Sequence, residues 1–386
     1  MPELVALDLP AGQAFVDALV AAWDQGNAVL PLDPRLPNPA TDRILDALRP
    51  TVVIDEDGAH PRSAGMPAEA GDALVIATSG TTGNPKGVVL THDAVRASAL
   101  ATSARLNVDP ARDRWLACLP LAHIGGLSVV TRALATGTPY TVLERFDSAE
   151  VERHSRCGAT LVSLVATALG RTDVTAYRAV LLGGSAPPQG LPANVVTTYG
   201  MTETGSGLVY DGRPVDGAEV RIDDGIRRGV PTGDAGPTGV VGEVLVRGPM
   251  VFRNYRDGSD PRRDGGWFAT GDAGRVDTDG TLTVFGRIEE VIVTGGEKVW
   301  PVAVEQLLAG HPGVGQAAVW KRVDPEWGER VVAWVVPAAD EEPPSLGALR
   351  QLVAAQLAPW AAPRELEIVP SLPRTPSGKV RRTELR

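Results

Sequence analysis

A glycine-rich run between two apolar stretches is the strongest chemical signal in the chain. Residues 77–87 read Ala-Thr-Ser-Gly-Thr-Thr-Gly-Asn-Pro-Lys-Gly, which combines three glycines, four hydroxyls and one lysine. Glycines let several backbone N–H groups converge on one anion, while hydroxyls and a lysine add donors and positive charge. The run predicts a polyphosphate site, and its predicted contacts are Thr78, Ser79, Gly80, Thr81, Thr82, Gly83 and Lys86.

This loop is not a Walker A phosphate loop. That motif has a lysine directly after a glycine and a Ser or Thr directly after the lysine. Here Asn84 and Pro85 separate Gly83 from Lys86, and Gly87 follows the lysine. A flexible polar turn is the alternative reading, but so long a polar run between two apolar stretches favours the phosphate site.

The loop resembles the phosphate-binding signature of the adenylate-forming superfamily, which comprises acyl-CoA synthetases, nonribosomal peptide adenylation domains and firefly-type luciferases. The other motifs of that family follow in order along the chain. Gly183, Gly184 and Ser185 look like its adenine-side turn, although alone they would read as an ordinary turn. The segment Tyr199-Gly-Met-Thr-Glu203 looks like the motif that stacks the adenine and holds phosphate and magnesium.

The residue types in that second segment suit the implied roles. Tyr199 offers a flat apolar face for a base, Thr202 offers a hydroxyl for the α-phosphate, and Glu203 offers a hard oxygen ligand for Mg²⁺. The resemblance therefore implies that Thr202 and Glu203 are catalytic residues and that Glu203 is the magnesium ligand.

The ribose and hinge motifs of the family are matched further along. The segment ending in Thr-Gly-Asp272 implies that Asp272 accepts hydrogen bonds from both ribose hydroxyls, and Arg287 resembles the ribose and phosphate contact. At the hinge, where the family usually has Asp or Lys, this chain has Glu289. Without the other motifs, Arg287 and Glu289 would read as a solvated charge pair.

Two more segments resemble the parts of the family that serve the thiol and the transition state. By that resemblance Gly295 and Gly296 would line the pantetheine path of CoA, because only residues without side chains let a narrow chain approach the backbone. The Pro-Ser-Gly-Lys379 segment resembles the catalytic lysine loop, so Lys379 is the implied catalytic cation. Read alone, the basic segment over residues 374–386 would be a solvated tail or a weak anion-binding patch.

The chemistry of this set favours carboxylate activation. A carboxylic acid has a pKa of ~4, so at neutral pH it is already a nucleophile and needs no general base. Attack on ATP instead requires cations and N–H donors that stabilise the charge-rich transition state. The resemblance implies an ATP-dependent carboxylate–CoA ligase that forms an acyl-adenylate, with ATP, Mg²⁺ and CoA as cofactor and co-substrates and a small carboxylic acid as partner.

The identity of the acid rests on finer resemblance. His123, after an apolar run, sits where the family lines its acid pocket, although a lone histidine is more often structural. The stretch before the loop is short for the family, and the turn over residues 207–217 resembles compact actinobacterial o-succinylbenzoate-CoA ligases of menaquinone biosynthesis. This implies o-succinylbenzoate as the acid. Arg132 and polar groups near Ser128 are further pocket candidates.

Three other functions stay open at this point. The acid could be another aryl or short-chain carboxylate, or the chain could be a stand-alone adenylation domain that loads a carrier protein. A non-catalytic nucleotide sensor is the reading from a different class. The joint presence of Lys86, Glu203, Asp272, Arg287 and Lys379 argues against a sensor, which would not need the transition-state lysine.

Composition excludes several other classes. The chain has 37 basic and 47 acidic residues and a formal net charge of −10, so no global attraction to nucleic acid or anionic membrane is expected. Cys118 and Cys157 are too few for a disulfide scaffold and are expected to be buried. Neither a secretory leader nor an apolar run of ~20 residues is evident, so we expect no membrane insertion and a cytoplasmic location. A homo-oligomer is left open.

Short apolar, β-branched runs alternate with helical stretches and must position these motifs. The strands are predicted at Ala73–Ala77, Val88–Leu90, Ala179–Leu182, Val195–Thr198, Glu243–Val246 and Thr281–Phe285. A helix is predicted over Asp93–Leu106 with Asp93 as its cap. This alternation favours an α/β fold with mainly parallel sheets sandwiched by helices, in which ligands bind at the carboxyl ends of strands.

Past residue 287 the pattern changes to a strand-helix-strand-helix series. Pro301 can open a helix through Leu308, residues 329–336 read as a strand, and Ser345 can cap a last helix. We therefore predict a large AMP-binding domain over residues 1–287 and a small, mobile α+β catalytic lid domain over residues 288–386, with the hinge near residues 288–290.

Overall fold

A computed structural model gives the fold and describes residues 1–79, 84–188, 190–223, 239–339, 341–374 and 380–385. The α-helices within these residues are α1 Gln13–Asp24, α2 Asn38–Leu48, α3 His92–Arg105, α4 Ile124–Thr136, α5 Ser148–Arg156, α6 Ala166–Leu169, α7 Pro301–Leu308 and α8 Leu346–Ala354. The strands that precede residue 224 are β1 Leu4–Leu7, β2 Ala28–Pro31, β3 Val52–Asp55, β4 Gly58–Pro61, β5 Asp72–Ser79, β6 Pro85–Thr91, β7 Trp115–Ala117, β8 Tyr140–Val142, β9 Leu161–Val165, β10 Ala179–Gly183, β11 Val195–Met201, β12 Ser206–Tyr210, β13 Arg213–Pro214 and β14 Glu219–Asp223. The later strands are β15 Gly242–Arg247, β16 Asn254–Tyr255, β17 Phe268–Val276, β18 Leu282–Arg287, β19 Ile292–Thr294, β20 Glu297–Val299, β21 Val314–Asp324, β22 Gly328–Pro337 and β23 Glu365–Ile368.

The chain divides into two units by its internal contacts. The first unit comprises Met1–Val220 and Val246–Phe268, and the second comprises Arg221–Leu245 and Ala269–Arg386. The domain boundary predicted at residue 287 is not tested by this division. That boundary and its hinge stay predictions.

The first sheet of the first unit holds the phosphate-loop strands. Its strand order is β16-β6-β5-β2-β1-β3-β4. The inner strands β5, β2, β1 and β3 run parallel, whereas β6 returns antiparallel beside β5. The buried side chains that form the core on this sheet are aliphatic, which fits strands that are covered on both faces. The glycine-rich run therefore connects two paired strands of this sheet, β5 and β6.

The second sheet of the first unit carries the other nucleotide motifs. Its strand order is β13-β12-β11-β10-β9-β7-β8, with β8, β7, β9, β10 and β11 parallel to one another. Because parallel strands end at the same edge, the turns after Gly183 and Met201 lie side by side. A 3₁₀ turn over Thr202–Thr204 follows β11 directly. The expected placement of both motifs at strand carboxyl ends is confirmed.

The second unit has its own core. One sheet has the order β14-β15-β17-β18, and another has the order β20-β19-β22-β21 with β23 parallel to β22. Helices α7 and α8 supply buried residues that pack with β21 and β22, among them Leu308 and Leu349. The predicted mixed α/β architecture is confirmed.

Most predicted elements are confirmed, and two details are wrong. All six predicted strands are present, α7 begins at Pro301, and Ser345 Oγ accepts a hydrogen bond from Ala348 N at 3.2 Å to cap α8. Helix α3 begins one residue earlier than expected, because Thr91 at the end of β6 is the cap and accepts from Ala94 N at 3.1 Å. Cys118 is buried but Cys157, which follows a surface helix, is exposed.

Within the described residues, no helix combines the length and the apolar character needed to cross a bilayer.

Candidate functional site

The base of the phosphate loop is a regular β-hairpin. Thr78 pairs with Lys86 across β5 and β6, and Thr78 Oγ1 donates to the Lys86 carbonyl at 3.2 Å. Both residues are half-buried. The hairpin therefore fixes the two ends of the loop. The remaining predicted contacts, which are the side chain of Ser79 together with Gly80, Thr81, Thr82 and Gly83, lie outside the described residues.

The turn after β11 presents the predicted phosphate and metal groups. Thr202 and Glu203 lie in the 3₁₀ turn and are half-buried, as is Tyr199 within β11. The fully buried Thr204 fastens this turn, since its Oγ1 donates to the Met201 carbonyl at 2.9 Å. The turn is therefore anchored on its inner side while Thr202 and Glu203 keep part of their surface accessible.

Tyr255 on β16 joins Glu203 to Lys86. The Tyr255 hydroxyl donates to Glu203 Oε1 at 3.0 Å, and Lys86 Nζ lies 5.1 Å from the centroid of the Tyr255 ring. Sequence reasoning missed Tyr255, because nothing in the residues around it signals a contact with Glu203 52 positions away. The structure thus brings the loop lysine and the predicted metal ligand to one aromatic ring.

The adenine-side turn lies next to this group along the sheet. Strand β10 ends at Gly183, and Thr198 Oγ1 on β11 donates to the Leu182 carbonyl at 3.1 Å. Gly184 and Ser185 are both exposed. Ser185 follows Gly184 in an accessible turn whose backbone groups can face a base.

In the second unit, the predicted ribose contacts form an ion pair. Asp272 on β17 is directly opposite Arg287 on β18, and Arg287 Nη1 lies 3.2 Å from Asp272 Oδ1. The same nitrogen donates to the Thr270 carbonyl at 2.8 Å. The hinge candidate Glu289 lies close by, with its Oε1 3.9 Å from Arg287 Nε. Arg287 therefore lies within ion-pair distance of both carboxylates, while the ribose and hinge roles of these residues stay predictions.

The glycines assigned to the CoA path form the turn between β19 and β20. Gly295 has a φ of +59°, and a Cβ there would lie 2.6 Å from the Trp327 ring, so a side chain at Gly295 would collide with that tryptophan. The corresponding direction at Gly296 meets no atom within 4 Å in the described residues. Packing against Trp327 therefore requires glycine at position 295, whereas the backbone of Gly296 is exposed.

Lys379 lies outside the described residues, as does the whole of its loop over residues 375–379. The flanks of that loop are described: Arg374 and Val380 form an antiparallel bridge. Arg382 Nη2 lies 2.8 Å from Glu305 Oε2 on α7, and Arg382 Nη1 lies 2.9 Å from Glu290 Oε2. The segment after the loop is therefore fixed to the body of the second unit.

His123 is the N-cap residue of α4 and sits beside a buried carboxylate. Its Nε2 lies 3.7 Å from Asp33 Oδ2, and Asp33 in turn accepts from Arg35 Nε at 2.8 Å. Burial acts to raise the pKa of Asp33, but hydrogen bonds from Arg35 outweigh it and hold that pKa below its usual value. Asp33, which sequence reasoning missed, keeps a negative charge next to His123.

Arg132 is a buried cation on α4 for which the described residues supply no carboxylate. Only 2% of its surface is exposed. Its Nη2 donates to Ser206 Oγ at 2.6 Å and its Nη1 to Ser163 Oγ at 3.5 Å, while the guanidinium carbon lies 5.6 Å from the Trp115 ring centroid. Burial lowers the pKa of Arg132, which is the cost of holding an unneutralised charge away from water.

A second polar group beside Arg132 also lacks a partner. Ser128 lies one helical turn earlier on α4 and is 2% exposed. Among the described residues, neither Ser128 Oγ nor Arg132 Nε has a hydrogen-bond partner. Buried polar atoms are almost always satisfied, so these two atoms on one helix face are candidates for contacts with a polar ligand.

The donor set suits magnesium held mainly by phosphate. Among the described residues, no three His, Cys, Asp or Glu side chains cluster as a metal cage. Mg²⁺ in nucleotide sites is usually bound through one or two carboxylates plus phosphate oxygens and waters. The carboxylate of Glu203, which Tyr255 links to Lys86, fits that mode.

Comparisons with known proteins point the same way. The sequence matches the AMP-binding enzyme family over residues 56–256 and the AMP-binding enzyme C-terminal domain over residues 303–379. A relative from Mycobacterium tuberculosis, described as a probable 2-succinylbenzoate–CoA ligase, is 37% identical and covers 98% of this chain and 97% of its own length.

Two solved structures with a similar fold contain bound nucleotides. The o-succinylbenzoate CoA synthetase from Bacillus subtilis, in complex with the acyl-adenylate intermediate OSB-AMP, is similar with a TM-score of 0.85 and 29% identity, covering 100% of this chain and 88% of that chain. The same B. subtilis protein in complex with ATP and magnesium ion has a TM-score of 0.82 and 27% identity, covering 99% of this chain and 89% of that chain.

Proposed function

The chain belongs to the AMP-binding enzyme family, and we propose that it is an ATP-dependent carboxylate–CoA ligase whose acid is 2-succinylbenzoate. The relatives support the reaction class, and one observation carries the choice of acid. Arg132 is a buried guanidinium without a carboxylate partner among the described residues. Such a charge is costly unless a ligand neutralises it, and 2-succinylbenzoate brings a second carboxylate.

The reaction has two balanced steps. A carboxylate oxygen of the acid attacks the α-phosphorus of ATP, the bond to the bridging oxygen breaks, and pyrophosphate leaves. The thiol of CoA then loses its proton and attacks the acyl carbon, and AMP leaves with the oxygen that came from the acid. Neither step needs a residue that removes a proton from the acid, since that group is ionised at neutral pH.

The phosphate end of ATP would be held by the first unit. Lys86 and the hydroxyls of residues 78–82 face the departing pyrophosphate in this proposal, and Thr202 donates to the α-phosphate. Glu203 would hold Mg²⁺, which neutralises phosphate charge when bound. Each of these groups acts by stabilising negative charge that grows during attack.

The nucleoside end would be held by flat and paired groups. Tyr199 stacks on the adenine beside the turn of Gly183, Gly184 and Ser185, and Asp272 accepts from the ribose hydroxyls. Arg287 already lies 3.2 Å from Asp272, so the pair needs little reorganisation before it meets the ribose.

Lys379 is proposed as the cation that meets the attacking carboxylate and the α-phosphate, with Glu289 as the hinge and Gly295 and Gly296 beside the pantetheine. Lys379→Ala should abolish acyl-adenylate formation, because no other cation would replace it, and thioester formation from supplied acyl-adenylate should largely survive. Pyrophosphate exchange and a thioester assay with synthetic adenylate measure the two halves separately. Equal loss in both halves would remove this role.

The acid pocket would combine Arg132, Ser128 and His123 around the substrate. A guanidinium can pair with both oxygens of a carboxylate, which a serine hydroxyl cannot do alone. The proposal therefore assigns the second carboxylate to Arg132 and leaves the reacting carboxylate for the nucleotide end.

Product identification tests the proposed function. The purified protein is incubated with ATP, Mg²⁺, CoA and a panel of acids, and thioesters are identified by mass. We expect 2-succinylbenzoyl-CoA as the main product. Thioesters of other acids only would discard this substrate, pyrophosphate exchange without any CoA thioester would favour carrier-protein loading, and no exchange with any acid would favour a nucleotide sensor.

A further inference from the structure

A short segment over residues 252–256 links the phosphate-loop strand to the Glu203 turn, and we call it the bridging segment. The backbone N–H groups of Arg253 and Arg256 donate to carbonyls of β6 at 2.9 and 2.7 Å. On its other side the N–H of Phe252 donates to the Glu203 carbonyl at 2.7 Å. The bridging segment is therefore hydrogen-bonded to both motifs that face the polyphosphate in the proposed function.

The bridging segment packs closely against β6 at Gly87. A Cβ at Gly87, the residue after the loop lysine, would lie 2.9 Å from the Cβ of Arg256 and 2.8 Å from a side-chain carbon of Val75. Contacts below 3 Å are not tolerated by real side chains. Only glycine at this position lets the segment pack here, so its place beside Lys86 is set by packing as well as by hydrogen bonds.

Tyr255 uses this fixed position to touch two predicted site residues. Its hydroxyl donates to Glu203 Oε1 at 3.0 Å, and Lys86 Nζ lies 5.1 Å from its ring centroid. The ring is itself held by the fully buried Phe252, whose centroid is 5.0 Å away. The orientation of the Tyr255 ring therefore follows from the core rather than from the ligand.

We propose that Tyr255 is a positioning residue that presets Glu203 for Mg²⁺ and Lys86 for the phosphates; this rests on the proposed function. A ligating carboxylate is normally held by an outer hydrogen bond that orients its oxygens toward the metal, and the Tyr255 hydroxyl supplies such a bond. An aromatic face attracts an ammonium group without taking an N–H donor in a conventional hydrogen bond, so the donors of Lys86 remain for phosphate oxygens.

The two halves of this role can be separated by substitution. Tyr255→Phe removes the hydroxyl and keeps the ring, so it should weaken binding of MgATP by ~3- to 10-fold and leave metal-free ATP unaffected. Tyr255→Leu removes the ring as well, so it should also weaken metal-free ATP. Because the hydroxyl acts through Glu203, Tyr255→Phe should add nothing further in a Glu203→Gln background.

Calorimetric titration of the full chain tests this. MgATP and ATP with EDTA are each titrated into the wild type, Tyr255→Phe, Tyr255→Leu, Glu203→Gln and the Tyr255→Phe/Glu203→Gln double variant. Tyr140→Phe is the matched control, because Tyr140 lies on the edge strand β8, which β10, β9 and β7 separate from β11 and the Glu203 turn. Thermal melts of each variant report whether the fold is retained.

The outcomes are distinct. A metal-selective loss in Tyr255→Phe that vanishes in the Glu203→Gln background supports the inference. Unchanged MgATP affinity in Tyr255→Phe overturns it, and so does an equal loss for both nucleotide forms with a lowered melting temperature, which would mean a structural role. If the wild type binds neither form of ATP, the proposed function fails along with the inference. If the wild type binds MgATP and Tyr255→Phe binds it equally tightly, the inference fails and the proposed function stands.

Discussion

Two buried arginines of the first unit differ in what they touch. Arg132 is 2% exposed and is held by two serine hydroxyls, with its Nε unpaired among the described residues. Arg256 is 8% exposed and donates to the backbone carbonyls of Leu48, Met66 and Pro67.

Burial lowers the pKa of both arginines, so both carry the cost of desolvation. At Arg256 that cost is offset by carbonyl oxygens of the chain that would otherwise lack donors. At Arg132 the described residues supply only hydroxyls. A buried cation that satisfies backbone stabilises the fold, whereas one without an acceptor of comparable strength is suited to an anionic ligand.

The largest expected effect is the loss of activity when Arg132 is replaced. Arg132→Met should lower kcat/KM for 2-succinylbenzoate by roughly 10²- to 10³-fold, because the second carboxylate loses its buried partner. The KM for MgATP should change little. The control is an acid that lacks the second carboxylate, for which wild type and variant should be similar. Equal losses for both acids would break the comparison.

For stability, the replacement of Arg256 should have the larger effect of the two. Arg256→Met should lower the free energy of unfolding by about 2–4 kcal/mol, because one buried and two part-buried carbonyls lose a donor. Arg132→Met should leave the free energy of unfolding unchanged or higher, because it removes a buried charge. Urea denaturation of both variants measures this. A stability loss at Arg132 as large as that at Arg256 would contradict the account.

Substitutions at Ser206 test the hydrogen bond that holds the Arg132 guanidinium in place. Its φ is 146°, a backbone region that favours glycine, and its hydroxyl accepts from Arg132 at 2.6 Å. Ser206→Ala and Ser206→Gly should both raise the KM for the acid several-fold, because both lose the hydroxyl. Ser206→Gly should be more stable than Ser206→Ala by about 1 kcal/mol, because it relieves backbone strain. Thermal melts check the order, and a more stable alanine variant would refute it.

The smallest expected change in stability concerns Asp33, because its ion-pair partner Arg35 is exposed to solvent. The pKa of Asp33 is lowered, so its pairing contributes stability above pH ~4 that is lost as pH falls through the lowered folded pKa. Asp33→Asn should be less stable than wild type at pH 7 by about 0.2–1 kcal/mol, and the gap should narrow on acidification. Melting temperatures at pH 7 and at lower pH test this; a gap that widens in acid would be opposite to the predicted sign.

The sequence was sufficient for the family, for the mixed α/β architecture and for the strands that flank the motifs. Each motif is a contiguous run whose residue types match its chemistry, and the strands that carry them are apolar, β-branched runs with clear ends. Helices α7 and α8 could be predicted because Pro301 and Ser345 act through their own backbone neighbours. The family matches confirm the resemblance on which the fold and reaction class depended.

Contacts between distant segments could not be predicted in this way. Tyr255 meets Glu203 across 52 residues and Arg132 meets Ser206 across 74, and no local pattern encodes either pairing. One signal was available at Arg132, since a charged residue in the otherwise apolar and small helix α4 is unusual. The cap of α3 was assigned wrongly because Thr91 and Asp93 are both good caps, and only the end of β6 decides between them.

In the proposed reaction, an oxygen of the acid itself attacks ATP at the α-phosphorus. The direct test is to supply 2-succinylbenzoate with ¹⁸O in its carboxylates together with ATP, Mg²⁺ and CoA, and to analyse the released nucleotide by mass. We expect AMP that carries one ¹⁸O, together with unlabelled pyrophosphate. Unlabelled AMP, or ADP with labelled phosphate, would contradict it.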